Sequence, residues 1–476
     1  MISVLRIAPC RIGVDTLIPC STIGIIAVDR RKGTILDKFV IHGGQRLNGS
    51  VSVSGSKNGA LPVLFSTLLC DGPVQLSNVP VHLRDIKFTL KILETLGVES
   101  EVNGDGSVRL QVIDPTTTHA DYDLVSKMRA SICCLGPLLA RRGEAVVSLP
   151  GGCSIGDRPI ELHTHGMEAL GADVRIENGY VVARAERLKG ATIYLSGPMG
   201  STVLGTQNVM MAAVGAEGVT VIEGAACEPE VQGTASFLRA LGVEIEGDGT
   251  PVIRIEGRGR LDGDGCLDGA CFEIPPDRIE TGTYLLAGAI AGDRVTVEGC
   301  KPSENSALLA LLKRIGVRVD VGESTLTVFG VDEVKPVDVA MLPYPNFPTD
   351  LQGPLMALLC LGRGVSLITD KVYPDRFNHL SELRRFGAKI RKEGPSAIIE
   401  GGTPLSGATV MASDLRASAC LVLAGLVATG KTEVTRIYHL ERGYEKMEEK
   451  LRKLGARVEK VPDEKVSGAV EDMELA

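Results

Sequence analysis

The stretch Leu149-Pro150-Gly151-Gly152-Cys153-Ser154-Ile155-Gly156-Asp157-Arg158-Pro159 sets a cysteine among glycine and polar residues, five positions before an arginine. A thiol near a guanidinium has a lowered pKa and a raised reactivity, and the three glycines predict a mobile loop. Cys70, Cys360 and Cys420 stand instead in apolar helical stretches and read as buried, inert thiols. No histidine lies close enough in sequence to Cys153 to be its obvious base, so on composition alone a catalytic thiol and an inert one remain equal readings.

Charged residues form a second set with a regular spacing. Asn58, Arg129, Arg278, Asp350 and Arg416 recur at one place, with Lys57 beside the first. Arg84, Arg158 and Arg442 recur at another, with Arg376 close to the matching position. Both places fall where helices are expected to begin. A cation there is disfavoured by the helix dipole, unless an anion is held by the backbone N–H groups and the arginine together. One reading is therefore a shared anion-binding cleft. The other is that each arginine pairs with an acid nearby in sequence: Asp85, Asp157, Asp277, Asp375, Asp414 or Glu441.

The spacing comes from an internal repeat. Leu96-Gly97, Leu170-Gly171, Leu241-Gly242, Ile315-Gly316, Phe386-Gly387 and Leu454-Gly455 end six units, with glycine spacings of 74, 71, 74, 71 and 68 residues. A steady period means one supersecondary unit used repeatedly. Each unit opens with an apolar helix of about four turns that closes at a glycine expected to adopt the left-handed cap: Gly72, Gly143, Gly218, Gly292, Gly364 and Gly430. A strand follows, such as Val219–Ile222 or Val295–Val297, then an amphipathic helix such as Ile86–Leu96 or Tyr444–Leu454, then further strands. First helices such as that around Leu61–Phe65 or Leu421–Leu426 are apolar nearly all round and should be buried. Six units divide as three plus three, with Gly257–Gly265 as the candidate seam.

Composition limits the function classes. The 476 residues are 44% hydrophobic and 23% charged, enough for a globular protein with ample core. A net charge of −8 argues against non-specific nucleic-acid binding. No apolar run approaches the roughly 18 residues of a membrane span. Twelve cysteines without a Cys-x-x-Cys motif suit a reducing cytoplasm rather than a disulfide framework or zinc site. His163 and His165, the close histidine pair, would point to different faces of a helix, which argues against a metal role. Residues 1–35 lie outside the repeat and read as a translated leader before a start at Leu36; the acidic stretch 461–476 reads as a mobile tail.

Several segments carry a family resemblance. Ser54-Gly55-Ser56-Lys57-Asn58-Gly59-Ala60, Met128-Arg129-Ala130-Ser131, Pro150 to Gly156, Pro348-Thr349-Asp350, Asp414 to Ala419 and Glu441-Arg442-Gly443-Tyr444 appear in order. From about Leu36 to Val461 the chain resembles the enolpyruvyl transferases, and among them the family that acts on UDP-N-acetylglucosamine, to which the cysteine loop is highly specific. The resemblance implies transfer of the enolpyruvyl group of phosphoenolpyruvate to the sugar 3′-hydroxyl with release of phosphate. That is the first committed step of peptidoglycan synthesis, a cytoplasmic step on which cell wall, shape and division depend, and a target of fosfomycin. It implies no metal or organic cofactor, no nucleic-acid partner and no membrane partner.

Site roles follow from the same resemblance. Lys57 and Asn58 would hold phosphoenolpyruvate, helped by Arg376, Arg416 and Arg442, with Lys57 and Arg442 also among the catalytic residues. Arg129 and Arg158 would meet the nucleotide sugar and its diphosphate, and Pro159, Ile160, Glu161 and Leu162 the uridine. Gly200, Ser201, Thr202 and Val203 would lie on the nucleotide side, and Val372 would touch the sugar nucleotide from the other half. Asp350 would be the general base and Cys153 the acid. The family fold is α/β: two inside-out α/β barrels, each of three βαβαββ-type units with buried helices. Residues 57–275 would form one domain with the cysteine loop at about 149–160, and 36–56 with 276–460 the other. The segment Gly200–Thr206 departs from the family form: Leu204 replaces a glycine and Gly200 stands near a lysine position. Two alternatives are the shikimate-pathway enolpyruvyl transferase, which lacks the cysteine loop, and a non-catalytic repeat-built binding protein.

Overall fold

Six sheets of this mixed α/β chain share one strand order. A short strand runs parallel to a second, the second antiparallel to a third, and the third antiparallel to a fourth. His119–Ala120, Glu144–Ser148, Tyr180–Arg184 and Asp173–Glu177 lie side by side in that way. The computed structural model describes residues 37–151, 156, 158–261, 265–331 and 333–463. The expectations for residues 1–35, for most of the acidic tail and for Cys153 fall outside the described residues.

Three sheets take a strand from elsewhere in the sequence. Cys271–Glu273 pairs in parallel with Val74–Ser77 of the first unit. Leu47–Ser52 pairs in parallel with Gly292–Glu298 of the fourth. Asp37–His42 lies between Lys431–Thr435 and Arg457–Pro462 of the sixth. The Gly/Asp-rich stretch at 257–265 is therefore not a seam, because the chain beyond it still adds a strand to the first unit's sheet. Nor does the tail begin at Val461: Val461 and Pro462 pair with Lys38 and Asp37, and Asp463 is buried.

The chain crosses between sheets where residues 54–56 run beside 275–277. Ser56 N–H donates to Pro275 C=O at 2.7 Å and Asp277 N–H to Ser54 C=O at 2.9 Å. Gly55 is required there, since a Cβ would sit 1.8 Å from the Asn78 carbonyl oxygen.

The first helix of each unit is Lys57–Ser66, Leu135–Arg142, Val203–Ala213, Arg278–Ala291, Gln352–Leu359 and Leu415–Val427. Five are enclosed almost end to end: Gly59–Ser66, Gly205–Ala213, Ile279–Ala291, Gln352–Leu359 and Leu415–Leu426 are buried throughout. Removing that apolar surface from water on every side is what a helix without a polar face requires. The second helices bury one stripe, as Arg84–Thr95 does with Ile86, Ile92 and Leu93. Buried side chains gather into two hydrophobic clusters, one around Leu64 and Met210 and one around Leu286 and Leu421.

Two helix expectations need correction. Several first helices fall short of four turns because part of the run is 3₁₀, at Thr67–Leu69, Arg129–Cys134 and Thr349–Leu351. The left-handed cap closes only one of them, at Gly143; Gly292 is extended, and Gly218, Gly364 and Gly430 have positive φ but stand beyond their helix ends, the first inside a strand and the second opening one. A left-handed glycine instead ends each of the second helices: Gly97, Gly171, Gly242, Gly316, Gly387 and Gly455 have φ between +80° and +97°. The following N–H then reaches back to a carbonyl of the last turn, as from Val243 to Leu238 and Ala456 to Leu451, which satisfies the orphaned helix end.

Candidate active site

Local capping explains how side chains come to stand at the inner-helix starts. The Ser56 hydroxyl accepts from Gly59 N–H at 3.1 Å. Asp277 accepts from Ile279 and Glu280 N–H at 2.8 and 2.9 Å, and its second oxygen from Lys57 N–H at 3.4 Å. One carboxylate thus joins the starts of two helices whose first residues are Lys57 and Arg278. Asp414 caps the helix of Arg416 in the same way.

The first charged cluster centres on Asp85. Lys57 Nζ lies 2.7 Å from Asp85 Oδ2, and Arg442 Nε 2.8 Å from Oδ1. Asp85 has no solvent exposure. Burial would push its carboxyl up, but Lys57 and Arg442 outweigh that and hold it below its usual value. Two cations on one carboxylate leave a net positive charge.

Asp350 repeats the arrangement. Arg376 Nη1 donates to Oδ1 at 2.7 Å, and Arg416 Nε to Oδ2 at 3.0 Å. Here too burial acts upward, and the two guanidiniums override it, keeping Asp350 well below the usual carboxylate range. Arg416 lies over the Tyr444 ring at 5.1 Å, and its Nη1 is buried without a hydrogen-bond partner. Arg376 is fixed further by Thr349 Oγ1 at 3.1 Å. Asp370, fully buried, accepts from the Thr349 hydroxyl at 2.6 Å and from Val372 and Tyr373 N–H at 2.9 and 2.7 Å, so one carboxylate sets the turn that carries Val372.

A third cationic cluster pairs Arg129 with Arg158. Arg129 Nη2 donates to the carbonyls of Arg158 and Pro159, the latter at 2.9 Å. Burial first, and the Arg158 charge second, lower its pKa to about 10. Opposite lies Gly200–Val203. Gly200 has φ +91°, and a Cβ there would come 3.3 Å from Pro343 Cγ, so a lysine at this position would be strained. Leu204 sits in the first turn of Val203–Ala213, capped by Thr202, and its side chain removes no backbone N–H from that helix start.

The fourth cluster is built on Arg278, one of the recurring helix-start arginines, with two carboxylates that the repeat does not mark. Arg278 holds Glu230 with Nε at 3.0 and 3.3 Å and Nη2 at 3.3 Å, and stands over the Tyr344 ring. Glu228 accepts from Tyr344 N–H at 3.3 Å through Oε1, while its Oε2 is buried without a partner. The available signal was Glu228-Pro229-Glu230, an acidic pair astride a helix-opening proline.

These clusters line one cleft of about 660 Å³, together with Asn58, Pro159, Glu161, Leu162, Gly200, Ser201, Thr202, Val203 and Val372. Ile160 differs: its side chain is buried in the hydrophobic cluster of the first three units and does not line the cleft. Arg84 also differs, being exposed against Tyr438 while its neighbour Asp85 turns inward. The sequence-neighbour pairing is not what forms among the described residues. Asp277 and Asp414 cap helices, Asp375 meets Lys392 and Glu441 meets Lys460. Arg278, Arg376, Arg416 and Arg442 reach carboxylates far away in the chain. His163 is buried with Nδ1 3.0 Å from Asn208 Nδ2, and His165 is exposed.

Residues 41–451 match the family model of EPSP synthase (3-phosphoshikimate 1-carboxyvinyltransferase). A UDP-N-acetylglucosamine 1-carboxyvinyltransferase of Desulfosudis oleivorans is 47% identical over 426 residues, covering 90% of this chain and 100% of its own. The protein of that name from Bdellovibrio bacteriovorus is 49% identical, covering 89% and 100%. Among solved structures, the enolpyruvyl transferase NikO from Streptomyces tendae superposes with a TM-score of 0.81 at 27% identity, covering 90% of this chain and 100% of that one. EPSP synthase from Acinetobacter baumannii shares the fold at a TM-score of 0.65 and 18% identity, covering 89% and 100%. No helix among the described residues is long and apolar enough to cross a membrane. The chain belongs to the EPSP synthase (3-phosphoshikimate 1-carboxyvinyltransferase) family of enolpyruvyl transferases, with UDP-N-acetylglucosamine 1-carboxyvinyltransferases as its near relatives.

Proposed function

We propose that the protein transfers the enolpyruvyl group of phosphoenolpyruvate to the 3′-hydroxyl of UDP-N-acetylglucosamine in the cytoplasm, releasing phosphate and committing the sugar nucleotide to peptidoglycan. The observation that carries this reading is one cleft with three net-positive clusters, around Asp85, around Asp350 and at Arg129–Arg158. The reactants bring a matching set of anions: a phosphate, a carboxylate and a diphosphate. The near-half identity to the sugar-nucleotide enzymes favours that acceptor over 3-phosphoshikimate.

In this reading Lys57, Asn58, Arg376, Arg416 and Arg442 hold phosphoenolpyruvate. Arg129, Arg158 and the N–H groups at Ser201–Val203 hold the diphosphate, while Pro159, Glu161 and Leu162 flank the uridine and Val372 the sugar. The sugar oxygen bonds to C2 of phosphoenolpyruvate as Asp350 takes the hydroxyl proton and Cys153 delivers a proton to the C3 methylene. In the second half a C3 proton leaves, the double bond returns, and the C2–O bond to phosphate breaks. No step needs a metal or organic cofactor. A carboxylate clamped by two arginines is a weak base. Phosphoenolpyruvate must draw charge from Arg376 and Arg416 before Asp350 can act, which couples substrate binding to basicity.

The scaffold of this reading is two inside-out α/β barrels, residues 57–275 and 36–56 with 276–460. The two hydrophobic clusters and the three strands borrowed across the sequence support it. The test is phosphate release with phosphoenolpyruvate and either acceptor. Turnover with UDP-N-acetylglucosamine and none with 3-phosphoshikimate is expected; the reverse pattern removes the proposal.

A further inference from the structure

We infer that Glu228 recognises the uncharged part of the nucleotide sugar by accepting a hydrogen bond from one of its hydroxyl or acetamido N–H groups, an inference that rests on the reading above. Glu228 immediately precedes the helix Pro229–Ala240, yet its side chain caps none of that helix's N–H groups. It turns into the cleft instead, where Oε1 takes the Tyr344 N–H at 3.3 Å and Oε2 is buried without a hydrogen-bond partner. A buried acceptor without a partner calls for an explanation, and one that faces a cleft is satisfied when a ligand brings a donor. Only 9% of the residue is exposed.

The chemistry of that partner follows from the neighbours. Arg278 is committed to Glu230 by a bidentate contact, so the cluster of two carboxylates and one guanidinium is net negative. Burial raises the Glu228 carboxyl, with Arg278 acting downward and Glu230 upward. A phosphate or carboxylate would be repelled here, whereas a neutral O–H or N–H donor satisfies Oε2. The three cationic clusters take the anionic ends of the two substrates, and this acidic one remains for the sugar. It is a specificity element, since a site built to pair with a donor rejects an analogue that lacks it.

Steady-state kinetics of wild type, Glu228→Gln and Glu228→Asp test this, with thermal unfolding run alongside. Glu228→Gln should raise KM for UDP-N-acetylglucosamine about tenfold or more, with KM for phosphoenolpyruvate within about twofold. Glu228→Asp, which keeps the charge but withdraws it, should fall between. UDP-sugar analogues lacking the 4-hydroxyl, the 6-hydroxyl or the acetamido group identify the donor. One of them should lose affinity with wild type while Glu228→Gln binds it and the parent sugar equally. The inference is overturned if both KM values move together in folded variants, or if every analogue loses the same factor in wild type and variant. A wild-type protein inactive with both substrates would instead remove the proposed function itself.

Discussion

Arg442 and Asp85 stand 357 positions apart in sequence and 2.8 Å apart in space. Asp85 belongs to a helix of the first unit and Arg442 closes a 3₁₀ turn of the sixth, so their bond joins the two ends of the repeat at the cleft. Lys57 completes the cluster, and the two cations together keep the buried Asp85 ionised.

Asp85→Asn should accordingly destabilise the protein by about 3–5 kcal/mol, the usual cost of leaving buried cations without their counter-charge. Phosphoenolpyruvate should restore more of the thermal midpoint in this variant than it adds to wild type, because it supplies the missing negative charge. Equal midpoints for variant and wild type without ligand would contradict the pairing.

Asp350→Asn should lower kcat by about 10²–10⁴, the range for losing a positioned base. Affinity for phosphoenolpyruvate should hold or improve, since Arg376 and Arg416 lose a competitor. Single-turnover phosphate release within tenfold of wild type would remove Asp350 as the base.

Fosfomycin should add one covalent adduct, at Cys153, and abolish turnover. Intact mass and peptide mapping read this directly. An unmodified mass after prolonged incubation, or an adduct on another cysteine, would separate the chain from the reaction assigned to its loop.

Acid should weaken the fold through His163 before Asp85 and Asp350 titrate. Burial, helped by the Arg129 charge, takes His163 from 6.5 down to about 3. Between those values the unfolded chain binds a proton that the folded chain refuses, so stability falls as pH drops through 6.5 and keeps falling to about pH 3. The His163 share is of the order of 3 kcal/mol by pH 4. Asp85 and Asp350 act with the same sign but only below their ordinary value of 3.8. Urea unfolding at pH 7.5 and pH 5 should show a smaller acid loss for His163→Gln than for wild type, and identical losses would contradict this account.

The fold was legible where the repeat wrote it. Every Leu-Gly or its equivalent ends a second helix, and the apolar first helices are the buried ones. What periodicity could not show was the exchange of strands, because Asp37–His42 and Cys271–Glu273 carry no mark of the distant sheets they complete. The left-handed caps were assigned to the wrong glycines for a similar reason. Gly292 follows an apolar run, but the chain there passes straight into a strand and has no turn to make, while at Gly364 the turn is made earlier, over residues 360–363. In the site, the recurring arginines gave the cleft its cations. Their partners were illegible, since Asp85, Asp350 and Glu230 are chosen by proximity across the fold rather than along the chain. Glu228 left only a faint trace beside Pro229.

The most direct test of the account is product analysis with phosphoenolpyruvate carrying oxygen-18 in the C2–O–P bridge, incubated with UDP-N-acetylglucosamine and the wild-type protein. The prediction is a nucleotide sugar heavier by one enolpyruvyl group, with the label recovered in phosphate. Unchanged nucleotide sugar, or unlabelled phosphate with labelled pyruvate, would contradict it.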